Sequence, residues 1–219
     1  MKTILSIITK LYLRYVYGSF PNLQGDRDIE YASIATNIPN GPGKAMDFGS
    51  GNSYLSLIAA EKGYNATNVD MLPNRLSFRN HNVKFIQGDF FECDFKRNSF
   101  DLMINCSSIE HVGLVGRYGV VKQEKDGDLK AMAILHNLLR KGGIMLLTVP
   151  VGKDKVFLPK HRVYGKTRLP KLLSGFKIVK HVFWTKNNEN RWIKTTRKKA
   201  LLLTTSEHFY NIGFFVLAK

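Results

Sequence analysis

The sequence predicts an α/β protein with a mostly parallel sheet and helices on both faces. Short apolar segments alternate with amphipathic segments between residues 44 and 149, and glycines or polar residues follow most of the apolar segments. This alternation favours parallel strands joined by right-handed crossovers. With 219 residues, 44% of them hydrophobic, the chain can bury one full core. No internal repeat or linker is evident, so we expect residues 1–219 to form a single domain.

The order of the elements follows from the positions of apolar residues, glycines and prolines. An amphipathic helix with basic residues off its apolar stripe is predicted at about residues 1–20, before a short helix at 28–37. Seven strands are predicted at residues 44–48, 66–69, 83–86, 100–104, 144–149, 176–184 and 212–217. Further helices are predicted at residues 54–62, 129–140 (with Asp128 as N-cap) and 167–174. The basic, Asn-rich residues 186–199 are predicted to form an exposed loop.

The chain is strongly basic, and the excess lies late in the sequence. Lys and Arg number 33 against 17 acidic residues, a net charge of +16. Residues 151–199 hold fifteen Lys and Arg against only Asp154 and Glu189. Such a field attracts anionic partners such as RNA, a membrane surface or phosphorylated substrates. Alternatively, the charge only keeps the protein surface soluble or adapts it to a salty or hot cytoplasm. The basic amphipathic helix at residues 1–20 could lie on a membrane or pack on protein.

Sequence features also bear on the compartment. No segment approaches the roughly 18 consecutive apolar residues that span a bilayer. The first 20 residues are interrupted by Lys10 and Arg14 and lack the small-residue cleavage site of a secretory signal. Cys93 and Cys106 do not have the spacing of a metal site or a disulfide framework, which favours a reducing compartment. We therefore expect a cytoplasmic protein, with peripheral membrane association left open.

A glycine turn follows the first predicted strand, in the segment Asp47-Phe48-Gly49-Ser50-Gly51. Two glycines one residue apart let the backbone approach a ligand closely, and the next helix presents free N–H groups. The third glycine of the dinucleotide fingerprint is replaced by Tyr54, and no Gly-Lys-Ser/Thr of a P-loop follows. The turn resembles the first motif of class I methyltransferases that depend on S-adenosylmethionine (SAM), an acidic residue followed by Gly-x-Gly.

Four later segments resemble the same family. The second strand ends at Asp70, followed by Met71, where the family has an acidic residue that holds the ribose hydroxyls. Gly88-Asp89-Phe90 matches the segment whose Asp contacts the adenine amino group and whose aromatic residue packs on the ring. Residues 105–108 follow the fourth strand, where cofactor and acceptor meet. Residues 135–144 resemble the segment around the Gly-Gly turn before the fifth strand.

This resemblance covers about residues 44–150 and implies a Rossmann-like, seven-stranded sheet with an antiparallel last strand. It implies SAM as cofactor, and the cofactor-binding residues it implies are Asp47, Gly49, Ser50, Gly51, Asp70, Met71, Asp89, Phe90 and Asn105. We predict no metal site, because the histidines do not cluster with Asp or Glu at metal-ligand spacing. Asp126 and Asp128 stay open as ligands.

The pair Glu110-His111 follows the fourth strand, as in many small-molecule methyltransferases. His111 is a candidate general base for an acceptor hydroxyl, because its pKa lies near working pH. Alternatively, the pair braces the next helix while His111 lines the cofactor pocket. Residues 113–128 contain four glycines and are a candidate lid over the acceptor. Acceptor specificity is predicted to depend on residues 112–128 and 153–168.

The segment from Ser107 to Ala131 resembles a group of uncharacterised methyltransferase-like proteins that are known only as a domain of unknown function. It is also similar to proteins that methylate sugars of surface glycans. These resemblances favour O-methylation of a small molecule or a sugar or glycan acceptor. An RNA methyltransferase that uses the basic C-terminal half is an alternative, although no RNA-binding module is recognisable. A SAM-binding module without turnover is the third possibility.

Overall fold

Strands and helices alternate along the chain, as the sequence predicts. The computed structural model describes residues 8–9, 12, 25–75, 79–116 and 118–219. The helix predicted at about residues 1–20 therefore lies outside the described residues, except for helical Ile8, Thr9 and Tyr12. None of the helices in the described part of the chain is long and apolar enough to cross a membrane.

The described residues form five α-helices and ten strands. The helices are α1 (Asp26–Ala35), α2 (Leu55–Glu61), α3 (Gly127–Leu138), α4 (Arg168–Leu172) and α5 (Arg197–Ala200). The strands are β1 (Gly43–Phe48), β2 (Tyr64–Asp70), β3 (Val83–Gln87), β4 (Phe100–Cys106), β5 (Leu139–Val151), β6 (Lys155–Phe157), β7 (His161–Val163), β8 (Lys177–Lys186), β9 (Trp192–Thr195) and β10 (Asn211–Ala218). Two 3-10 turns follow β3 and β4, at Phe90–Glu92 and Ile109–His111.

Among the described residues, eight strands form one sheet in the order β3-β2-β1-β4-β5-β10-β8-β9. Strands β1 to β5 are parallel, and the chain crosses over between β3 and β4 to start the second half of the sheet beside β1. Strand β10 lies antiparallel between β5 and β8. This topology confirms the predicted mixed sheet with an antiparallel last strand. The carboxyl ends of β1 and β4 are adjacent at the topological switch point, where ligands bind in open α/β sheets.

The two faces of the sheet bury separate apolar clusters, because successive side chains of a strand point to opposite faces. On β4, Met103 joins the cluster that includes α3 and α4, whereas Leu102 and Ile104 join the cluster that includes α1 and α2. On β5, Leu146 and Leu147 divide in the same way. Helices therefore cover both faces, as predicted.

Two local predictions are wrong. Residues 186–199 are not wholly a loop, since β9 pairs with residues 183–186 of β8 and adds an eighth strand to the predicted seven. The ammonium of Lys186 lies 5.0 Å from the ring centroid of Trp192, a cation–π contact within this hairpin. Asp128 is not the N-cap of α3, which starts one residue earlier at Gly127. Its carboxylate is fully buried and binds arginine side chains instead.

Candidate active site

A cavity of about 660 Å³ opens at the carboxyl ends of β1, β2 and β4. Eight of the nine predicted cofactor residues line it, namely Asp47, Gly49, Ser50, Gly51, Asp70, Met71, Asp89 and Phe90. His111 and the segment that follows it line the same cavity, as do two residues of α1, Arg27 and Tyr31. The fold thus joins the predicted cofactor residues, the candidate base and α1 around one space.

The glycine turn after β1 depends on glycine for two different reasons. Gly49 has a φ of +63°, and a Cβ there would lie 2.5 Å from the Cβ of Ser108. The Ser108 hydroxyl donates to the Gly49 carbonyl at 2.8 Å, which fixes the turn against the end of β4. Gly51 has a φ of +53°, but a Cβ there would meet no described atom within 4 Å. Gly49 therefore allows close packing, whereas Gly51 supplies a left-handed backbone beside open space.

Asp70 connects the end of β2 to this turn. Its Oδ2 accepts a hydrogen bond from the Gly51 N–H at 2.8 Å, and its Oδ1 accepts one from the Leu72 N–H at 2.8 Å. An ionised carboxylate offers about four acceptor positions, so about two remain on Asp70. The two backbone bonds fix the carboxylate at the cavity wall, and the remaining positions suit a diol such as a ribose.

Asp89 and Phe90 form the neighbouring wall. The Asp89 carboxylate accepts a hydrogen bond from the Phe91 N–H at 2.9 Å and caps the 3-10 turn after β3. The Phe90 ring is buried edge-on against Phe48, with ring centroids 4.8 Å apart. Met71 is exposed beside them. This wall is apolar with an acceptor at its rim, a pattern that suits a purine with an exocyclic amine.

Asp47 and Ser50 carry buried polar atoms that lack partners. Within the described residues, Asp47 Oδ1 and the Ser50 hydroxyl form no hydrogen bond. Asp47 Oδ2 accepts only a long bond of 3.4 Å from the Ser53 hydroxyl. Burial raises the pKa of Asp47 to about 8. Buried unpaired polar atoms are rare in proteins, so their presence at a cavity wall fits a ligand with donor groups such as an amino-acid ammonium.

Asn105 is the predicted cofactor residue that does not line the cavity. It is fully buried in β4, and its Oδ1 accepts a hydrogen bond from the Ile109 N–H at 3.3 Å. In this position Asn105 stabilises the turn that leads to His111.

His111 is oriented by a distant loop. Its Nδ1 lies 2.5 Å from the carbonyl oxygen of Lys160. Because a carbonyl can only accept, Nδ1 carries a proton, so Nε2 is the unprotonated nitrogen whenever the ring is neutral. Nε2 lies 3.8 Å from Glu110 Oε1, and the Tyr118 ring packs edge-on against His111 with centroids 5.6 Å apart. The neutral imidazole therefore has the tautomer that a base at Nε2 requires.

Two further carboxylates are buried beside the end of β4. Burial raises the pKa of Glu110 to about 8, and burial also raises the pKa of Glu30 on α1. Glu30 is paired with Arg27 at 3.1 Å and accepts a hydrogen bond from the Ser107 hydroxyl. Sequence analysis missed Arg27, Glu30 and Tyr31, because α1 has no motif and Glu30 meets Ser107 across 77 residues of chain.

The segment between His111 and α3 is closed at its base by Arg162. This side chain is buried, and its guanidinium donates to the carbonyls of Val112 at 2.6 Å, Glu124 at 3.1 Å and Lys125 at 3.2 Å. The Gly113 carbonyl also accepts from the Glu124 N–H at 2.9 Å. The ends of residues 113–126 are thus fixed together, while Tyr118 and other residues between them line the cavity.

Metal ligands do not cluster in the described part of the chain. No group of three or more His, Cys, Asp or Glu side chains there could hold a metal ion. Asp126 and Asp128, which the sequence left open as ligands, instead form ion pairs with Arg168 at 3.1 Å and 2.5 Å.

Comparison with protein families gives one match over most of the chain. The model of DUF268, described as a Caenorhabditis protein of unknown function, matches residues 65–212. The chain belongs to the DUF268 family. The matched region includes Asp70, Asp89 and His111 but begins after the glycine turn. A search of curated protein sequences finds no significant match.

Solved structures share the fold at low identity. A Burkholderia thailandensis 1,6-didemethyltoxoflavin-N1-methyltransferase, with its acceptor and S-adenosylhomocysteine (SAH) bound, is 16% identical with a TM-score of 0.54 and covers 98% of this chain and 89% of its own. A SAM-dependent methyltransferase from Mesorhizobium loti is 14% identical with a TM-score of 0.57, and the match covers 87% of this chain and 97% of the Mesorhizobium chain. A Haemonchus contortus phosphoethanolamine N-methyltransferase 2, bound to phosphomonomethylethanolamine and SAH, is 15% identical with a TM-score of 0.58. This match covers 89% of this chain and 52% of the Haemonchus chain.

This DUF268 protein therefore has the Rossmann-like fold of class I SAM-dependent methyltransferases, and the predicted fold class is confirmed. The SAH in two of these neighbours agrees with the predicted cofactor. The chain spans only about half the length of the Haemonchus protein.

Proposed function

We propose that this DUF268 protein is a SAM-dependent methyltransferase that methylates a hydroxyl group of a small molecule, sugar or glycan. The observation that carries the proposal is the conjunction, in one cavity, of a fixed carboxylate at Asp70 with the unpaired buried atoms of Asp47 and Ser50. A cofactor with a diol at one end and an ammonium at the other suits both groups. Residues 1–219 would act as one domain in the cytoplasm. Peripheral association with a membrane surface stays open.

The cofactor-binding roles follow from these contacts. Asp70 would accept the ribose hydroxyls, and Asp89 with Phe90 would hold the adenine. Asp47 and Ser50 would receive the amino-acid end, for which Gly51 leaves room. Asn105 would act indirectly, by holding the turn before His111. SAM supplies an electrophilic methyl group on its sulfonium.

The chain's own part in the reaction would be alignment and removal of one proton. Methyl transfer is an in-line displacement, so the walls of the cavity chiefly hold donor and acceptor in line. His111 Nε2 would accept the hydroxyl proton, while the Lys160 carbonyl keeps Nδ1 protonated. Residues 112–128 and 153–168 would select the acceptor. The His111 tautomer supports this assignment, as do the glycan-methylating proteins that residues 107–131 resemble.

Replacing Asp70 tests the cofactor site. We expect Asp70→Ala to weaken SAH binding by at least tenfold, because hydrogen bonds to a charged group contribute about 1.5–3 kcal/mol. Isothermal titration calorimetry measures the affinity. Asp94→Ala removes the same charge from an exposed position outside the cavity and should bind SAH normally. Equal affinities in the two variants would contradict the ribose assignment.

Labelling of a fractionated cell extract with radioactive SAM tests the reaction. We expect label in a small-molecule or glycolipid fraction with the wild-type protein, and slower labelling with His111→Ala at unchanged SAH affinity. General bases typically contribute about 10²–10⁴-fold, so the loss should be at least tenfold. Wild-type rates in His111→Ala would end the base assignment. Absence of transfer to any fraction, with SAH bound, would instead favour a binding module.

A further inference from the structure

The part of the cavity wall that α1 forms carries a guanidinium held by one edge. Arg27 lies in the first turn of α1 and lines the cavity, with its side chain half-exposed. Its Nη1 donates to Glu30 Oε2 at 3.1 Å and lies 3.9 Å from the Cys106 sulfur. Nε and Nη2 form no hydrogen bond with the described residues. The contacts of Nη1 thus fix one side of the guanidinium, and the N–H groups of the Nε–Nη2 edge are available to a ligand.

The anchor of this guanidinium combines a buried acid with an unusual backbone conformation, which calls for a functional explanation. Glu30 is only 3% exposed, and its second carboxylate oxygen accepts from the Ser107 hydroxyl. Ser107 adopts a φ of +46°, the left-handed region that non-glycine residues rarely occupy. Buried ion pairs contribute little net stability, and strained residues cluster at functional sites. The pair and the strained serine together hold Arg27 in one orientation at the end of β4.

The charges around the cavity divide by position. Its acidic lining residues Asp47, Asp70 and Asp89 belong to the cofactor side, at and after the ends of β1, β2 and β3. The remaining acidic lining residue, Glu124, is paired with Lys130 at 2.7 Å. Lys122 also lines the cavity and forms no hydrogen bond or ion pair with the described residues. Apart from the cofactor side, the described lining therefore holds the cations of Arg27, Lys122 and Lys130 and the carboxylate of Glu124.

We propose that Arg27 forms an anion-binding subsite for a carboxylate or phosphate group of the methyl acceptor. A guanidinium fork binds either group in a bidentate manner through two parallel N–H donors. Tyr31, one turn along α1, and Tyr118, packed on His111, add aromatic surface to the same cavity. The subsite rests on the proposed function, because the cofactor site defines which side of the cavity receives the acceptor.

The test follows the Arg27 Nε–H signal by ¹H–¹⁵N NMR in SAH-saturated protein. Acetate, inorganic phosphate and acetamide are titrated separately at constant ionic strength; acetamide is the uncharged counterpart of acetate. The signal is assigned by its loss in Arg27→Gln/Glu30→Gln, which removes both partners so that no carboxylate is left buried and unpaired. Arg191, paired with Glu189 at an exposed site, is the matched control arginine.

We expect a saturable shift of the Arg27 signal with at least one anion, no shift with acetamide, and no saturable shift at Arg191. Saturation by acetate alone identifies a carboxylate acceptor, and saturation by phosphate alone identifies a phosphorylated one. Equal responses of Arg27 and Arg191, or equal responses to acetate and acetamide, would overturn the subsite.

Calorimetry with SAH on the same samples separates the two proposals. The double variant should bind SAH as the wild type does, because Arg27 and Glu30 are assigned to the acceptor. If the wild type fails to bind SAH while its Arg27 signal still saturates in cofactor-free protein, the cofactor assignment fails and the anion subsite stands. Normal SAH binding without an anion response overturns the subsite alone.

Discussion

Single residues around the cavity work against the stability of the fold. Asp47 and Glu110 are each only 2% exposed, and each has a carboxylate oxygen without a hydrogen bond to the described residues. Taking a carboxylate out of water disfavours its charged form, so burial raises the pKa of each group to about 8. Each of these side chains therefore stays protonated near neutral pH until a ligand or another donor stabilises the charge.

This burial predicts a pH dependence of stability. The raised pKa means that the folded protein keeps protons that the unfolded chain releases above about pH 4. The contribution of each protonated group to the free energy of unfolding is therefore present in full below pH 4 and is lost as the pH rises towards 8. We expect the free energy of unfolding of the cofactor-free protein to fall between pH 6 and 8, and Glu110→Gln to lessen that fall by on the order of 1 kcal/mol per pH unit.

Urea unfolding followed by circular dichroism at several pH values measures this slope. The exposed Glu61→Gln provides the control, since it removes a carboxylate without changing a buried one. A slope for Glu110→Gln equal to that of the wild type and of Glu61→Gln would show that Glu110 ionises normally.

At the scale of elements, the hairpin of β6 and β7 organises the part of the cavity around His111. The Lys160 carbonyl between the two strands fixes the His111 ring, and Arg162 on β7 binds both ends of residues 113–126. Arg162 Nε also lies 3.6 Å from the carboxylate of Asp128, which accepts from Arg168 Nε at 2.9 Å. The described residues of this glycine-rich segment form no strand or helix, and Arg162 holds the two ends of the segment together.

We predict that Arg162→Met loosens this segment. The substitution leaves the carbonyls of Val112, Glu124 and Lys125 without their buried donor, which should cost about 3 kcal/mol in all at roughly 1 kcal/mol per lost hydrogen bond. The free energy of unfolding should fall by roughly that amount, and amide hydrogen exchange should rise most within residues 113–126. Lys130→Met breaks the exposed pair with Glu124 and should cost less than about 1 kcal/mol. Uniform exchange in Arg162→Met, or equal losses in the two variants, would contradict a local role for Arg162.

At the scale of the whole molecule, positive charge and the cofactor site lie in different halves of the sheet. The glycine turn, Asp70 and Asp89 follow β1, β2 and β3, at one edge. Exposed basic residues occupy β8, β9, the turn between them and α5, at the other edge; they are Lys177, Lys180, Arg191, Lys194, Arg197, Lys198 and Lys199. This separation favours general attraction of anions over a basic channel that leads into the cavity.

Charge reversal at the second edge tests the RNA alternative. We expect a single-stranded RNA oligomer to bind weakly and with a salt dependence, measured by fluorescence anisotropy. Changing Arg197, Lys198 and Lys199 to Glu should lower the slope of log K against log salt by about 2, at roughly 0.7 per phosphate contact. Labelling of the small-molecule fraction should be unchanged. Label that appears in RNA, and is lost in this variant, would support the RNA methyltransferase instead.

Much of the fold and of the lining of the cavity could be predicted, because local signals encode both. The alternation of apolar segments predicted the order of the strands. The spacing of Gly49, Gly51 and Asp70 predicted that the carboxyl ends of the first two strands lie side by side. Strand β9 was missed because Trp192 and Ile193 stand alone among polar residues, and only pairing with β8 makes that short segment a strand. Asn105 was predicted at the cavity, but its Oδ1 accepts from the Ile109 N–H inside the turn after β4.

By itself, the sequence determined the strand–turn–helix of the cofactor side and the class of fold. These features depend on backbone sterics and on hydrophobic periodicity within a few residues. Only the tertiary structure decided which residues from distant segments complete the cavity. The bond from Ser107 to Glu30 and the hydrogen bonds of Arg162 to Val112 and Glu124 join segments far apart in the chain. Such contacts form where burial makes an unpaired charge costly, and no local pattern records which distant partner will satisfy it.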